Sequence, residues 1–502
     1  MKEKLRKSIK DYRFWTVAVC AVIVAVLLAY DFKRFTIPTP TNVSAASCAF
    51  IYVATALPFI ILCIIAGLKL KKSKTLLVAC GLFAISYILR ILLADFVSHD
   101  YVNFLSHWLE AYRNLSIKDS LSTQVGNYPP LYNYFLIAFS RINLFDMYLL
   151  KTFSFYGEVI TAVLAIKLVA YVRKEKFNFV LLGLLLLMPI FLMDSSQWGQ
   201  CDTFYTMCAV AGVYFALRSK SIPCFIFMGL GLAFKMQILV IYPAGLILML
   251  AKKPEGGKYL LWRFIWIIPL VFLLISCLPP MCAGGSFFKI FKVYFEQATE
   301  GNGNGLNLHC ANLLLYLSTI RRGSIAYYIL LILFILITAV VETFIIAHTL
   351  KSSKRILDKE KIVFACLLIS FISVFFMPKM LDRFFYIAEI FGAIYFFIKR
   401  DKNSFTASVL LETAQIMMFA FVLYHAPRAF VFSPLFTTFA LILLAARFFK
   451  YFPCNKPKFL HVWVDAIEYG KVIKPESNET PPSEEFANES VTDLPPKQQS
   501  EE

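Results

Sequence analysis

The chain of 502 residues alternates long apolar stretches with short polar segments. Most apolar stretches approach 20 residues, the helix length needed to cross about 30 Å of hydrocarbon. They predict an all-α, polytopic membrane protein of about 14 spans, within a range of about 11 to 14. The predicted spans are residues 14–30, 46–68, 75–94, 147–172, 179–193, 203–217, 222–234, 238–251, 264–278, 325–348, 362–377, 384–398, 405–424 and 430–449.

The basic residues set the predicted orientation of these spans. Lys and Arg number 50 against 32 Asp and Glu, and most of them lie in short segments between apolar stretches. Because cytoplasmic loops carry the excess of Lys and Arg, residues 2–13, 69–74, 173–176 and 351–361 are expected in the cytoplasm. The pattern predicts a multi-pass membrane protein with cytoplasmic termini, and it does not indicate nucleic-acid binding. Arg321 and Arg322 violate the rule, since the scheme places them outside.

The same alternation predicts the organisation of the chain. Two long external loops, residues 95–130 and 279–324, are expected, and the apolar segment 131–142 is too short to span comfortably, so it lies at the external interface or re-enters. The tail is rich in Pro, Ser and Glu, which predicts cytoplasmic disorder from about residue 475. Four regions result: an N-terminal segment with two extra spans, a central membrane module, C-terminal spans and a tail, with bounds 1–74, 75–400, 401–452 and 453–502.

The 12 cysteines are scattered, mostly inside apolar runs, and form no CxxC pair. This distribution is typical of small residues that fill a core rather than of a metal site. Cys282 and Cys310 fall in one predicted external loop, so a disulfide between them is left open.

Unusual polar residues converge on the predicted external side. The first loop contains Asp95, His99, Asp100, His107 and Glu110. Further external turns contain residues 194–202, 235–237 and 379–383, whereas the cytoplasmic turns contain ordinary basic clusters. This asymmetry predicts a functional site on the external face.

Two of these polar residues also have structural explanations. Lys235 interrupts a long apolar stretch, and a cation near membrane depth costs several kcal/mol unless it reaches the interface or meets an anion. A lipid phosphate as its partner and simple snorkelling to the interface both remain open. Asp202 could cap the span that begins beside it, or it could belong to the site.

Four polar elements follow one another in an order that resembles GT-C-type glycosyltransferases. They are Ser98-His99-Asp100-Tyr101 with Trp108, Tyr128-Pro129-Pro130-Leu131-Tyr132, Gln197-Trp198-Gly199-Gln200-Cys201-Asp202 and Phe234-Lys235-Met236-Gln237. A fifth element, Met380-Leu381-Asp382-Arg383-Phe384-Phe385-Tyr386, is similar to the Met-His-Glu-Arg-Tyr-Phe-Tyr element of the bacterial branch related to the GPI-anchor second mannosyltransferase. The resemblance covers residues 95–390. Leu381 stands where the family element has histidine, and Asp382 stands where it has glutamate. The role of the family's histidine is therefore not carried over to Leu381.

The resemblance implies an inverting hexosyltransferase that moves a sugar from a polyprenyl-phosphate donor to an acceptor hydroxyl, with mannose suggested by the branch. It implies Asp100 as the general base and Asp202 as a second carboxylate that orients the acceptor or holds a metal. Arg383 and Lys235 would bind the donor phosphate. Mg²⁺ or Mn²⁺ would suit two acids, although nothing in the sequence fixes a metal. The remaining substrate-binding candidates are Tyr128, Gln200, Gln237, Trp198 and Asp382.

Two other functions remain open at this stage. A transporter or flippase of a lipid-linked glycan would share cations for a lipid phosphate, but it predicts functional charges on both faces. A polymerase or ligase of surface polysaccharide would more often use an external Arg/His pair. The acceptor is equally open and could be a glycan, a lipid or a protein.

Overall fold

The structure is a computed structural model that describes residues 43–299, 303–453 and 458–469, together with residues 19, 22 and 40. The described chain is all-helical and contains no β-strand. Contacts divide the chain into two units, Met1–Asn455 and Lys456–Glu502, and the described part of the second is one helix, Lys458–Tyr469. The predicted span at 14–30 and the predicted disordered tail lie outside the described residues, apart from residues 19 and 22.

The helices are numbered α1 to α20 in chain order. Their bounds are Ala45–Lys69 (α1), Ser73–Ala94 (α2), Ser106–Arg113 (α3), Ile117–Ser122 (α4), Pro130–Phe139 (α5), Asp146–Arg173 (α6), Phe179–Leu186 (α7), Pro189–Phe191 (α8), Asp202–Leu217 (α9), Ser221–Phe234 (α10), Tyr242–Leu250 (α11), Ile267–Phe272 (α12), Leu278–Cys282 (α13), Phe287–Thr299 (α14), Ile325–Ser352 (α15), Lys359–Phe376 (α16), Tyr386–Lys399 (α17), Lys402–Tyr424 (α18), Pro427–Tyr451 (α19) and Lys458–Tyr469 (α20). Short π-helical turns are Tyr101–Leu105, Leu192–Trp198 and Leu273–Cys277, and 3₁₀ turns are Met236–Ile241, Trp262–Phe264 and Leu313–Leu317.

Seven helices among the described residues are long and apolar enough to cross a membrane, and an eighth is added if a bent pair counts as one span. The bent pair is Phe179–Leu186 with Pro189–Trp198, which meet at 55°. Three further predicted spans fall on apolar helices of 17 residues or fewer, and the span predicted at 384–398 is the 14-residue α17. Within the described residues the predicted positions therefore coincide with helices, but the count of about 14 spans is not confirmed.

Capping residues explain where several long helices begin. Ser324 accepts a hydrogen bond from the Tyr327 amide at 3.2 Å at the start of α15, and Asp358 accepts one from Lys361 at 2.8 Å at the start of α16. Asp401 does the same for Ser404 at 2.9 Å before α18. Each side chain satisfies an amide that has no partner within its own helix. Polar residues between the apolar stretches thus mark where these helices begin.

Exposed apolar surface identifies the surrounding medium. Helix α15 leaves Ile325, Ile329, Ile332, Leu336 and Val340 exposed along much of its length. Water would disfavour a row of that kind, whereas hydrocarbon accepts it without cost. With the other long apolar helices, this surface makes the chain a multi-pass membrane protein.

Two details of the predicted loops differ from the structure. The segments 95–130 and 279–324 contain short helices, α3, α4, α13 and α14 among them, rather than plain loops. The apolar segment at 131–142 forms α5 of 10 residues, which is too short to cross a bilayer, as the sequence predicts. The disulfide considered for Cys282 and Cys310 is wrong, because both are free thiols and one is exposed while the other is buried.

Candidate functional site: a charged cluster in a large cavity

A cavity of about 1110 Å³ lies where several helix ends meet. Its walls come from segments far apart in the sequence, namely residues 99–108, 127–128, 198–200, 235–243, 303–321, 331–342, 377–384 and 421–430. All five sequence elements singled out above contribute residues to these walls, and the element at 128–132 contributes Tyr128 alone. The elements that resemble one family therefore meet in one space.

Asp202 lies at the centre of a buried ion-pair network beneath the cavity. Its Oδ1 accepts a hydrogen bond from Lys235 Nζ at 2.7 Å, and its Oδ2 lies 3.1 Å from Arg383 Nε. Asp202 is fully buried and does not line the cavity. It starts helix α9 without making a side-chain cap, so the capping explanation left open by the sequence does not apply. Lys235 meets an anion of the protein itself rather than snorkelling to the interface.

Lys235 reaches this network because the helix breaks at its position. Helix α10 ends at Phe234, and Lys235 adopts an extended backbone, φ −164° and ψ 134°, before the following 3₁₀ turn. Its ammonium also lies 5.3 Å from the ring centre of Tyr128, on which a cation is favourably placed. The interruption seen in the sequence is thus a real break in the helix.

Asp100 is the most exposed carboxylate of the cluster, and it lines the cavity. Its Oδ2 accepts hydrogen bonds from Trp198 Nε1 at 3.0 Å and from Gln200 Nε2 at 2.5 Å, and it lies 4.0 Å from Arg383 Nη1. Both hydrogen bonds use the same oxygen, so Oδ1 is the oxygen left to accept a proton. About a quarter of the side chain is exposed, at 27%. Asp100 is held in place and still accessible.

Gly199 makes the tight turn that presents the two donors. It adopts φ +81°, a left-handed conformation in which a side chain would be strained, and it ends the π-helical turn at Trp198. The Gln200 amide then donates to the Asp194 carbonyl at 2.9 Å. A glycine between Trp198 and Gln200 therefore lets both side chains turn toward one carboxylate.

Arg383 connects the elements of the cluster. Its Nη1 donates to Asp382 Oδ1 at 3.1 Å, and its guanidinium carbon lies 4.9 Å from the ring centre of Trp198. Asp382 is buried, and this burial, partly offset by Arg383, raises its pKa to about 7. Gln415 donates to the Asp382 backbone carbonyl at 2.5 Å and so fixes the turn that carries both residues.

The predicted sugar-binding side chains also border the cavity. Tyr128 donates from its hydroxyl to Gln200 Oε1 at 3.0 Å. Gln237 lines the cavity, and its buried Oε1 has no hydrogen-bond partner in the described part of the chain. A buried amide oxygen without a donor is costly, so Gln237 is suited to accept a hydrogen bond from a ligand. The structure brings together all nine predicted site residues, eight on the wall and Asp202 behind it.

The acids of this cluster are bridged by protein cations. Among the described residues no group of three His, Cys, Asp or Glu side chains could hold a metal ion. Asp202 already contacts Lys235 and Arg383, and Asp382 contacts Arg383. The arrangement does not fit the divalent cation that two acids alone would suit.

Sequence reasoning missed several residues of this region. Lys151 is buried and donates to the carbonyls of Ala94 at 2.7 Å and Phe96 at 2.6 Å, so it closes the end of α2 just before Asp100. Glu342 lies inside a predicted span, yet it lines the cavity and accepts a hydrogen bond from Ser373 Oγ at 2.5 Å. A lone charge within an apolar run was the available signal for both.

The predicted histidines have different surroundings. His99 is exposed and lines the cavity, whereas His107 is exposed and does not. His309, in the second long loop, lines the cavity beside the rings of Phe421 and Phe430. None of the three contacts Asp100 through a hydrogen bond among the described residues.

No protein-family model matches the chain, and no curated protein matches it significantly.

Proposed function

We propose that the protein is an inverting membrane glycosyltransferase, which moves a hexose from a polyprenyl-phosphate donor to an acceptor hydroxyl. The observation that carries the proposal is Asp100, an accessible carboxylate held 4.0 Å from a guanidinium at the edge of a large cavity. A base beside a cation is what the transfer of a sugar from a phosphate requires. The resemblance of the five sequence elements supplies the reaction class, with mannose as the suggested sugar.

In the proposed reaction Asp100 Oδ1 accepts the proton of the acceptor hydroxyl. The acceptor oxygen then forms a bond to the anomeric carbon as the bond from that carbon to the phosphate oxygen breaks, which inverts the configuration. The electron pair of the broken bond stays on the polyprenyl phosphate, whose negative charge faces Arg383. Trp198 and Gln200 hold Asp100 during this step, and they leave one of its oxygens for the proton.

Asp202 acts in this proposal as a positioning residue. It is fully buried and contacts both Lys235 and Arg383, so it fixes the two cations rather than touching the sugar. Breaking a buried charge pair by removing one partner costs about 3–5 kcal/mol, because the other charge is left uncompensated. The network therefore keeps the cations rigid before a donor arrives.

The proposed place for the polyprenyl tail is the apolar part of the cavity. Leu331 and Ile335 of α15 line it on one side, and Leu239 and Val240 line it from the break after α10. A tail there would be buried against hydrocarbon side chains while its phosphate remains near Arg383.

The proposed orientation places the cavity on the non-cytoplasmic face of a bacterial plasma membrane, with both termini in the cytoplasm. The basic segments 69–74, 173–176 and 351–361 support it, because they lie between spans where the positive-inside rule expects the cytoplasm. Donor lipid and acceptor would then meet outside the cell.

The test is transfer by purified, full-length protein supplied with a panel of polyprenyl-phosphate sugars. Asp100→Asn removes the base while it preserves the side-chain shape, and we expect a loss of about 10²–10⁴-fold in turnover. His107→Gln, an exposed polar change in the same segment that does not line the cavity, is the matched control and should keep wild-type turnover. Normal turnover by the asparagine variant would remove Asp100 from the mechanism.

The transporter of a lipid-linked glycan remains a second candidate because of the carboxylates inside the bundle. Asp194 and Glu389 are buried, and none of their side-chain oxygens has a hydrogen-bond partner in the described residues. Ionisable groups at such depth often mark proton or substrate pathways. Proteoliposomes decide between the two: translocation of a labelled lipid-linked sugar without formation of a glycosylated product favours transport.

A further inference from the structure

Two arginines outside the charged cluster have no place in the mechanism above. Arg321 and Arg322 lie on the side of the chain where the positive-inside rule does not expect them. Both are exposed, and neither forms an ion pair with an acid in the described parts of the chain. Arg321 lines the cavity. Their position therefore calls for a functional explanation.

A single backbone segment brings these arginines next to Lys379. The Arg322 amide donates to the Asn304 carbonyl at 2.6 Å, and the Lys379 amide donates to the Leu306 carbonyl at 2.6 Å. Two positions further on, the Leu308 amide donates to the Met380 carbonyl at 3.1 Å. The segment 304–308 thus pairs with both basic segments and holds them at one edge of the cavity. We call Arg321, Arg322 and Lys379 the cationic rim.

Lys379 shows that the positive charges of the rim lie close enough to repel one another. Its backbone adopts φ +60°, a left-handed conformation that costs a residue with a side chain about 1–2 kcal/mol. Burial and then the positive charge of Arg322 lower the pKa of Lys379 below its ordinary value. The side chain nevertheless lines the cavity. Like charges held together at one edge of a cavity attract an anionic ligand.

The charge of the inner cluster increases the need for such a rim. Lys235 and Arg383 are shared among the carboxylates of Asp202, Asp382 and Asp100. Two cations facing three acids offer little net attraction to a phosphate. Additional positive charge has to come from elsewhere in the same cavity, and Arg321 and Lys379 are the other Lys and Arg side chains on its described wall.

We infer that the cationic rim is a second phosphate-binding site, which holds a phosphate group at the entrance of the cavity while the inner cluster faces the donor phosphate. The phosphate belongs either to the acceptor or to a headgroup of the surrounding bilayer. Arginine pairs suit this ligand because each guanidinium offers parallel donors to phosphate oxygens. The inference rests on the proposed function only for the identity of the ligand, since the site itself is defined by geometry and charge.

The experiment measures binding of inorganic phosphate to the full-length protein in phosphatidylcholine nanodiscs. The double variant R321Q/R322Q and the single variant K379Q remove charge from different segments, and each should weaken phosphate binding at least about tenfold. Lys289→Gln is the control, since Lys289 is exposed near the same end of the bundle and does not line the cavity. Arg383→Ala reports separately on the inner cluster.

Weakened binding in both rim variants, with Lys289→Gln unchanged, supports the inference. Affinity for phosphate within twofold of wild type in R321Q/R322Q, or in K379Q, overturns it. Thermal unfolding of each variant in the same nanodiscs shows that the loss does not come from a collapsed fold. Because binding of phosphate requires no transfer, a wild-type protein that transfers no sugar from any donor of the panel would overturn the proposed enzyme and leave this result standing.

A second arm identifies the source of the phosphate. If a bilayer headgroup occupies the rim, nanodiscs that contain phosphatidylglycerol should lower the apparent affinity for inorganic phosphate in the wild type but not in R321Q/R322Q. If the acceptor supplies the phosphate group, the wild type should bind inorganic phosphate with the same affinity in both nanodisc compositions. The general effect of the lipid surface charge is measured with Lys289→Gln and is subtracted. The second result predicts a phosphorylated acceptor.

Discussion

At the scale of single residues, the spacing of charges in the sequence indicated which residues lie around the cavity better than it indicated which of them form ion pairs. Lys235 stands out because it interrupts an apolar stretch, and Asp202 stands out because it follows polar residues at the start of a span. Their contact at 2.7 Å joins positions 33 residues apart, and no local pattern encodes that pairing. The burial of Asp202 was equally invisible, since burial depends on how α9 packs against distant helices.

Asp382 replaces a glutamate of the family it resembles, and its environment predicts a pH dependence. Its carboxyl faces Arg383, Asp100 and Asp202, and burial raises its pKa to about 7, whereas the unfolded chain titrates near 3.8. The folded protein therefore binds the proton more tightly between these values, so Asp382 lowers stability as the pH rises through that window. Ionised Asp382 also offsets part of the positive charge that Arg383 would otherwise present to a ligand.

We therefore expect the affinity for a polyprenyl-phosphate donor to fall as the pH rises through about 7. Asp382→Asn, which stays neutral at every pH, should flatten this dependence. The measurement is donor affinity at a series of pH values in the two proteins, at constant ionic strength. An equally steep profile in Asp382→Asn would assign the titration to another group.

At the scale of elements, apolar length located the helices but not every break within them. The 55° bend between Phe179–Leu186 and Pro189–Trp198 follows from Pro189, whose ring excludes a regular helix, and it was read from the sequence as one straight span. The break at Lys235 has no proline, and the sequence marks it by the lysine that interrupts the apolar stretch. The two breaks therefore have different signals in the sequence, a proline in one and a charge in the other.

The turn before α5 provides a prediction about an element. Gly126 has φ +71°, and a Cβ atom built on it would lie 2.3 Å from Trp108 Cε2, closer than two carbon atoms can approach. Gly126→Ala should therefore displace Trp108 from the cavity wall and lower transfer activity, beyond the cost of backbone strain alone. Indole fluorescence measures the change of environment.

Gly256→Ala separates the two effects. Gly256 also has a left-handed backbone, with φ +93°, but nothing lies within 4 Å of a Cβ atom built there. Gly256→Ala should lower the free energy of unfolding by about 1–2 kcal/mol because of backbone strain, and it should leave Trp108 undisturbed. The same fluorescence change in both variants would show that the overlap with Trp108 has no consequence.

At the scale of the whole molecule, the orientation in the membrane remains a prediction that native thiols can test. Cys282 is exposed at the end of the bundle that carries the cavity, whereas Gly256 is exposed between spans where basic residues cluster. A membrane-impermeant maleimide should label Cys282 in intact cells and leave Cys282→Ser far less labelled. Gly256→Cys, placed in the Cys282→Ser background, should react only after permeabilisation. The reverse pattern would invert the proposed topology.

The outer wall of the cavity has a consequence for how the molecule responds to its surroundings. Leu331 and Ile335 face the cavity, while Ile332 and Leu336, one position further on, are exposed on the other side of α15. The partition between the cavity and the bilayer is therefore a single helix thick. Such a thin partition couples the two compartments mechanically. Helix α15 has 28 residues and is longer than the hydrocarbon layer is thick, so a thinner bilayer that tilts it further also changes the width of the chamber behind it. Lipid chain length should therefore alter ligand binding in the cavity, as a substitution on its wall would.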